Sequence, residues 1–286
     1  MRISAIVVTY KTGEILFSGL SALLNAEGVD EIVVVDNGNP QPCAQRLDAL
    51  ASNETKLRIV RGQGNVGFAR ACNLGAAMTR GELLLFINPD VVLEPRAARQ
   101  MAEALAKLPA PAIVGGDLRD GSGWPDRGSR RDRVTPWRAI ISYSGLHVLG
   151  PWLAPFRDLH RHQEPVPEAM TPVGAVSGAL LMMRRGDFLA VAGFDESYFL
   201  HFEDVDLCRR VEDVGGAIVF VPGALGTHER STSDVSPLWV TAHKFRGLAL
   251  YLWKHAQTPA EQGIANLLRR AMDAVLAPLD KRDAAA

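Results

Sequence analysis

Apolar positions along the chain alternate between two spacings. Short, nearly continuous runs at residues 3–9, 31–36, 57–61, 83–88 and 112–115, rich in Val, Ile and Leu, predict strands buried on both faces. Stretches with helical spacing at 14–26, 43–52, 68–79 and 95–108 lie between them. Strand and helix in alternation, joined by short connections, predict a mostly parallel sheet covered by helices. Further along, 176–184 and 217–221 read as strands, with a helix at 203–214 between them.

Two regions break this rhythm. Residues 119–172 are rich in Arg, Gly, Pro and Trp with little periodicity, and predict a long irregular excursion over the sheet. Its opening sets Arg119, Arg127, Arg130, Arg131, Arg133 and Arg138 against Asp120, Asp126 and Asp132. A solvated loop and a lid over an anionic ligand account for it equally well. The last region, 233–286, reads as an amphipathic helical tail appended to a domain at 1–232. Its apolar stripes suit helices packed on a core, and its basic excess with Trp and Tyr suits a membrane surface.

Composition narrows the function classes. At 47% hydrophobic and 22% charged residues the chain can bury a large core, and a net charge of −1 gives no field for nucleic acid. Three widely spaced cysteines, Cys43, Cys72 and Cys208, fit a reducing compartment and no metal finger. The start runs into an apolar strand with no leader pattern, and no apolar run is long enough to span a bilayer. The expectation is a cytoplasmic protein, peripheral at most on the inner membrane.

Ligands of such sheets collect at the carboxyl ends of the strands. Thr9-Tyr10, Asp36-Asn37, the turn at 65–67 and Asn88-Pro89-Asp90 occupy those ends. Residues 194–210 then carry aromatics into Glu203, Asp204 and Asp206 and finish on Arg209 and Arg210. A carboxylate beside aromatic rings at a helix start can act as a base. Acids also favour helix N-termini, and bases C-termini, for electrostatic reasons alone.

In this order the segments resemble the family 2 inverting glycosyltransferases of GT-A fold, and most nearly the rhamnosyltransferase-like members that build bacterial surface polysaccharide. The resemblance spans about residues 3–230. It rests on Val7-Val8-Thr9-Tyr10, Val34-Val35-Asp36-Asn37, Asn65-Val66-Gly67-Phe68 with Asn73-Leu74-Gly75, Phe86-Ile87-Asn88-Pro89-Asp90, Gly193-Phe194-Asp195-Glu196 and Phe202-Glu203-Asp204-Val205-Asp206-Leu207. It implies a Rossmann-like, mixed, mostly parallel sheet flanked by helices, with a helical C-terminal appendage.

The resemblance also implies roles. Thr9 and Tyr10 would line the base pocket, and Asp36 would bind the base or ribose, although a turn cap accounts for Asp36 as well. Asn65 and Gly67 would let the diphosphate approach the next helix start. Arg70 would stand in for an Arg that many relatives carry where this chain has Cys72. Asn88 and Asp90 occupy the Asp-x-Asp metal motif with its first acid replaced. Asp90 and His228 would hold Mg²⁺ or Mn²⁺. Asp204 would be the general base, with Asp195 and Glu203 on the acceptor side and Asp206 capping the helix. The implied donor is dTDP-rhamnose or a UDP-sugar, and the implied acceptor a glycan or polyprenyl-diphosphate-linked sugar. Two alternatives remain: a sugar-nucleotide-binding scaffold impaired by the Asn88 replacement, and a nucleotidyltransferase, which would want a glycine-rich phosphate loop where this chain has Tyr10-Lys11-Thr12-Gly13.

Overall fold

The computed structural model describes residues 1–150, 152–229 and 235–283, with side chains to residue 279. The first half alternates as the pattern requires: β1 (Ile3–Thr9), α1 (Ile15–Asn25), β2 (Val29–Asp36), α2 (Gln41–Asn53), β3 (Leu57–Val60), α3 (Phe68–Met78) and β4 (Leu83–Ile87). Next come β5 (Val91–Leu93), α4 (Ala97–Ala106), β6 (Ala112–Arg119), β7 (Arg130–Arg131) and α5 (Pro136–Ser144). The chain continues through β8 (Thr171–Pro172), β9 (Ala175–Val176), β10 (Leu180–Arg184), α6 (Arg185–Ala190), α7 (Glu203–Asp213) and β11 (Ala217–His228). Two helices, α8 (Pro237–Lys254) and α9 (Pro259–Asp283), follow.

The main sheet runs β3-β2-β1-β4-β10-β6-β11-β5, with β8 also paired to β11. β1, β2, β3 and β4 are mutually parallel, as are β6 and β11. β10 runs antiparallel to both neighbours, and β5 and β8 run antiparallel to β11, so the sheet is mixed and mostly parallel.

Alternation along the central strands builds two cores. Ala5, Val7, Ile32, Val34 and Leu85 face one side, with Leu16, Leu20 and Met101 from α1 and α4. Ile6, Val8, Val33, Val35 and Phe86 face the other, with Phe188, Phe194 and Leu207 around α6 and α7. Burial on both faces explains why these strands read as unbroken apolar runs.

Several expectations are revised. Residues 176–184 form two strands, β9 and β10, broken at 177–179, and 217–221 extends to His228. Residues 119–172 are not irregular throughout. β7 pairs with β9, and α5 begins at Pro136, where the Thr135 side chain accepts the Arg138 N–H at 3.2 Å. A two-residue strand and a nine-residue helix are too short for periodicity to reveal.

α8 is packed into the fold. A Cβ at Gly247 would meet the His201 carbonyl oxygen at 2.5 Å, and Leu248 and Tyr251 join a cluster with Phe202 and Val205. The proposed division at 232/233 lies outside the described residues. No described helix is long and apolar enough to cross a membrane.

Candidate active site

The short strand β5 pairs with the end of β11, in register His228↔Val91. That ladder sets Asp90, one residue ahead of β5, beside His228, with Nε2 and Asp90 Oδ1 3.3 Å apart. The other ring nitrogen, Nδ1, lies 2.9 Å from Asp126 Oδ2. Asp126 comes from the excursion, where its second oxygen accepts the Gly128 N–H at 2.7 Å and closes a turn. Burial alone would lower the His228 pKa, but its hydrogen bonds to Asp126 and Asp90 push it up to about 9.

A carboxylate on Nδ1 fixes the ring so that Nε2 meets Asp90, an orientation found in metal-bound histidines, and a cation at Nε2 would have to displace the proton held there. Among the described residues no three His, Cys, Asp or Glu side chains form a preformed cage. Two donors suit a hard divalent cation that completes its shell with phosphate and water. Imidazole as one donor favours Mn²⁺ over Mg²⁺.

The second half of the site is the start of α7. His201 and Phe202 precede it with φ of 67° and 72°, a backbone region costly for side chains with a Cβ. This bend delivers Glu203 and Asp204 into the protein at 5% and 8% exposure. Asp204 Oδ2 receives Arg131 Nη2 at 2.5 Å and the Gly178 N–H at 3.0 Å, while Oδ1 receives only the Val205 N–H at 2.8 Å. One lone pair of Oδ1 therefore remains for a hydroxyl proton. Burial would raise the Asp204 pKa, but the Arg131 charge and these hydrogen bonds outweigh it and hold the carboxyl below its ordinary range.

Glu203 behaves oppositely. Burial, then the neighbouring Asp204 charge, pushes its pKa up to about 8, and its Oε2 has no hydrogen-bond partner among the described residues. It is held protonated at neutral pH. Because its folded pKa lies above the unfolded one, its contribution to stability is complete below about pH 4.3 and is lost as pH rises towards 8. Glu203→Gln should remove that falling limb, so its melting temperature should gain on the wild type between pH 5 and 8, read by thermal unfolding across buffers.

The remaining sequence candidates divide. Thr9 is buried and shares a hydrogen bond with the Asn39 amide at 3.1 Å, and the Tyr10 ring lies against Gly38. Asp36 Oδ1 accepts the Gly38 and Asn39 N–H groups at 3.1 and 2.9 Å, so the turn-cap role is real. Its Oδ2 faces Arg61 at 3.4 Å. Asn65 caps the Gly67 N–H at 3.2 Å. At Gly67, with φ of 83°, a Cβ would meet the Phe199 carbonyl oxygen at 2.6 Å. The Phe68 N–H at the start of α3 donates to that same carbonyl at 2.7 Å, so this glycine admits protein backbone.

Arg70 is solvent-facing and lies 3.7 Å from Glu196. Asn73 grips both the N–H and the carbonyl of Phe194, at 2.9 and 2.8 Å, which anchors the lead into α7. The Asn88 N–H donates to Ala179 at 3.1 Å. Asp195 pairs with Lys254 of α8 and with Ser197. Asp206 does not cap α7: its carboxylate is buried against Arg210 at 2.7 Å, His255 at 3.0 Å and Tyr198 at 3.3 Å.

The two halves meet at residues 177–179. Gly178 donates to Asp204, its neighbour Ala179 accepts from Asn88, and the Ser177 side chain lies 3.7 Å from where a Cβ on Gly128 would stand. Asp204 and Asn88 are therefore bonded to adjacent residues, Gly178 and Ala179. The excursion serves both halves, giving Asp126 to His228 and Arg131 to Asp204. The sequence presents those two residues within a charged excursion that reads equally as a solvated loop or as a lid over an anionic ligand. Burial of Arg131 through β7–β9 pairing is a tertiary fact with no local pattern.

Known proteins resemble this chain in sequence and in fold. Residues 4–166 match the model of the family described as Glycosyl transferase family 2. An N-acetylglucosaminyl-diphospho-decaprenol L-rhamnosyltransferase from Mycobacterium tuberculosis H37Rv is 32% identical over 248 residues, covering 80% of this chain and 76% of that protein. Pyrobaculum calidifontis mannosyltransferase PcManGT, solved with GDP-Man and Mn²⁺, superposes with a TM-score of 0.59 at 15% identity, over 100% of this chain and 75% of that one. GalNAc-T7, solved with UDP, GalNAc and Mn²⁺, gives a TM-score of 0.63 at 14% identity, over 96% of this chain and 54% of that one. The fold is thus GT-A.

Proposed function

The chain belongs to glycosyl transferase family 2, and from that premise we propose that it moves a sugar from a nucleotide donor to a hydroxyl of a polyprenyl-diphosphate-linked glycan, with inversion. Membership of the family sets the nucleotidyltransferase alternative aside. The donor is dTDP-rhamnose, ahead of UDP-sugars, and the product enters bacterial surface polysaccharide at the cytoplasmic membrane face. The relative named for rhamnosyl transfer onto a decaprenyl-diphosphate sugar supports that choice. One observation supports the mechanism: Asp204 and Asn88 bond the adjacent residues Gly178 and Ala179, which links the candidate base to the turn that carries Asp90 beside His228.

A sugar hydroxyl is a poor nucleophile until its proton has somewhere to go. Asp204 Oδ1 takes that proton as the oxygen attacks the anomeric carbon from the face opposite the diphosphate. Arg131 holds the other carboxylate oxygen, so the base is ionised and fixed before the acceptor arrives. Asp90 and His228 are the residues that would hold a divalent cation, with Asp126 orienting the imidazole. Such a cation neutralises charge on a departing nucleoside diphosphate. Thr9 and Tyr10 line the base side of the same strand edge.

The test is a donor panel with Mn²⁺ and membrane-extracted lipid-linked acceptors, read by mass spectrometry for glycosylated lipid and released nucleoside diphosphate. Release that requires both dTDP-rhamnose and lipid acceptor is expected. Tight donor binding with no release across the panel would favour the sugar-nucleotide-binding scaffold, in line with Asn88 replacing an acid.

A further inference from the structure

The segment between β7 and β8 presents an apolar face that the fold does not cover. Helix α5 is apolar on both sides. Its inner side buries Ala139 and Ile141, and the Tyr143 ring packs on Phe245 at 5.8 Å between centroids. Its outer side leaves Trp137 and Ile140 at 49% and 56% exposure. The short turns that follow add Val148 at 63%, Trp152 at 78% and Leu153 at 50%. These side chains belong to one unit, because Trp137 Nε1 donates to the Pro155 carbonyl at 2.9 Å and its ring meets Phe156 edge-on at 5.8 Å.

Contiguous apolar surface of this kind marks an interaction site in a folded protein. Two observations select a bilayer. Tryptophans with aliphatic neighbours are the side chains that settle at the headgroup boundary. Residues 134–156 contain no Asp or Glu; Arg138 within them pairs with Asp132, and Arg133 and Arg157 flank them beside Asp132 and Asp158, so the face itself carries no acid to repel anionic headgroups. We infer that residues 136–150 and 152–156 form a membrane-docking face that inserts into the headgroup region of anionic bilayers.

The face is joined to the site. β7, which carries Arg131, leads into α5, and the Tyr143 hydroxyl lies within the fields of Arg131 and Asp204. Docking here would hold the candidate base near the bilayer surface, where, if the proposed lipid-linked acceptor is correct, its hydroxyl is presented. The C-terminal region is the weaker place. Most of the apolar stripe of α8 packs inward, leaving Leu238 exposed, and α9 exposes Ile264, Leu267 and Val275, all aliphatic and with no exposed Trp among the described residues of either helix.

The full-length protein should be floated with phosphatidylcholine vesicles, with and without phosphatidylglycerol, in wild-type form, as Val148→Asp/Trp152→Ser/Leu153→Ser, and as Ile264→Asp/Leu267→Asp. Wild type and the α9 variant should float with phosphatidylglycerol vesicles, and the triple variant should partition at least about tenfold less. Trp152→Ser alone, a single exposed side chain, should lower partition several-fold and keep the wild-type melting curve. The inference is overturned if wild type stays with the soluble fraction, or if the α9 variant alone loses binding. It is equally overturned if sedimentation without vesicles shows a dimer that the triple variant dissolves. The assay contains neither donor nor acceptor, so a failed sugar-transfer reading would leave its result standing, and the reverse.

Discussion

Asp204→Asn is expected to lower turnover by roughly 10²–10⁴-fold, the usual contribution of a positioned general base. The amide is nearly isosteric and can still accept the Gly178 N–H, so the site should keep its shape. It cannot take the acceptor proton, and Arg131 loses its anionic partner. The alternative base is Glu203, adjacent in sequence. Neighbouring helical residues point about 100° apart, and Glu203 is held protonated by burial beside Asp204. Steady-state release of nucleoside diphosphate in the presence of acceptor checks the prediction. Wild-type turnover in the purified variant would remove Asp204 from the mechanism.

Arg131→Met should be the most destabilising single change in the site. The side chains of Arg131 and Asp204 are only 13% and 11% exposed, so removing the cation strands a buried carboxylate. Breaking one side of such a pair costs about 3–5 kcal/mol, measured by denaturant unfolding at neutral pH. A kinetic effect follows from the same pair. Arg131 holds the Asp204 pKa down, so the pair stabilises the fold above the ordinary carboxylate pKa and loses that contribution as pH falls through the lowered value. In the variant the Asp204 pKa rises, and the acidic limb of kcat/KM should move to higher pH. A purely structural role for Arg131 would lower the profile without moving that limb.

How much of this was legible in the sequence depends on what kind of force placed each residue. β1, β2 and β4 were readable because both faces are buried and nearly every side chain is apolar. The reversed direction of β10 was not, since a strand buried on two faces has the same composition either way up. Three-residue β5 was invisible, yet it is what brings Asp90 to His228. At the candidate site, Asp204 and Asp90 are named by the order of motifs in the resemblance and His228 by its place after the last strand. Their partners Arg131 and Asp126 were not singled out, because charged residues in an aperiodic loop look solvated until tertiary pairing buries them.

Several of these residues have structural work of their own. Asp36 and Asp206 are held by hydrogen bonds within the protein, and Gly67 makes room for the Phe199 carbonyl. The tail was ambiguous because an apolar stripe looks alike whether it meets a core or a bilayer, and Gly247 against His201 decides for the core in α8.

The proposed mechanism divides labour along one edge, with diphosphate gripped at one end and the acceptor alcohol deprotonated at the other. Calorimetric titration of dTDP and UDP with Mn²⁺ into wild type, Asp204→Asn and Asp90→Asn separates the two ends. The predicted result is nucleotide affinity within about twofold of wild type for Asp204→Asn and at least about tenfold weaker for Asp90→Asn. Equal losses in both variants, or none in Asp90→Asn, would contradict it.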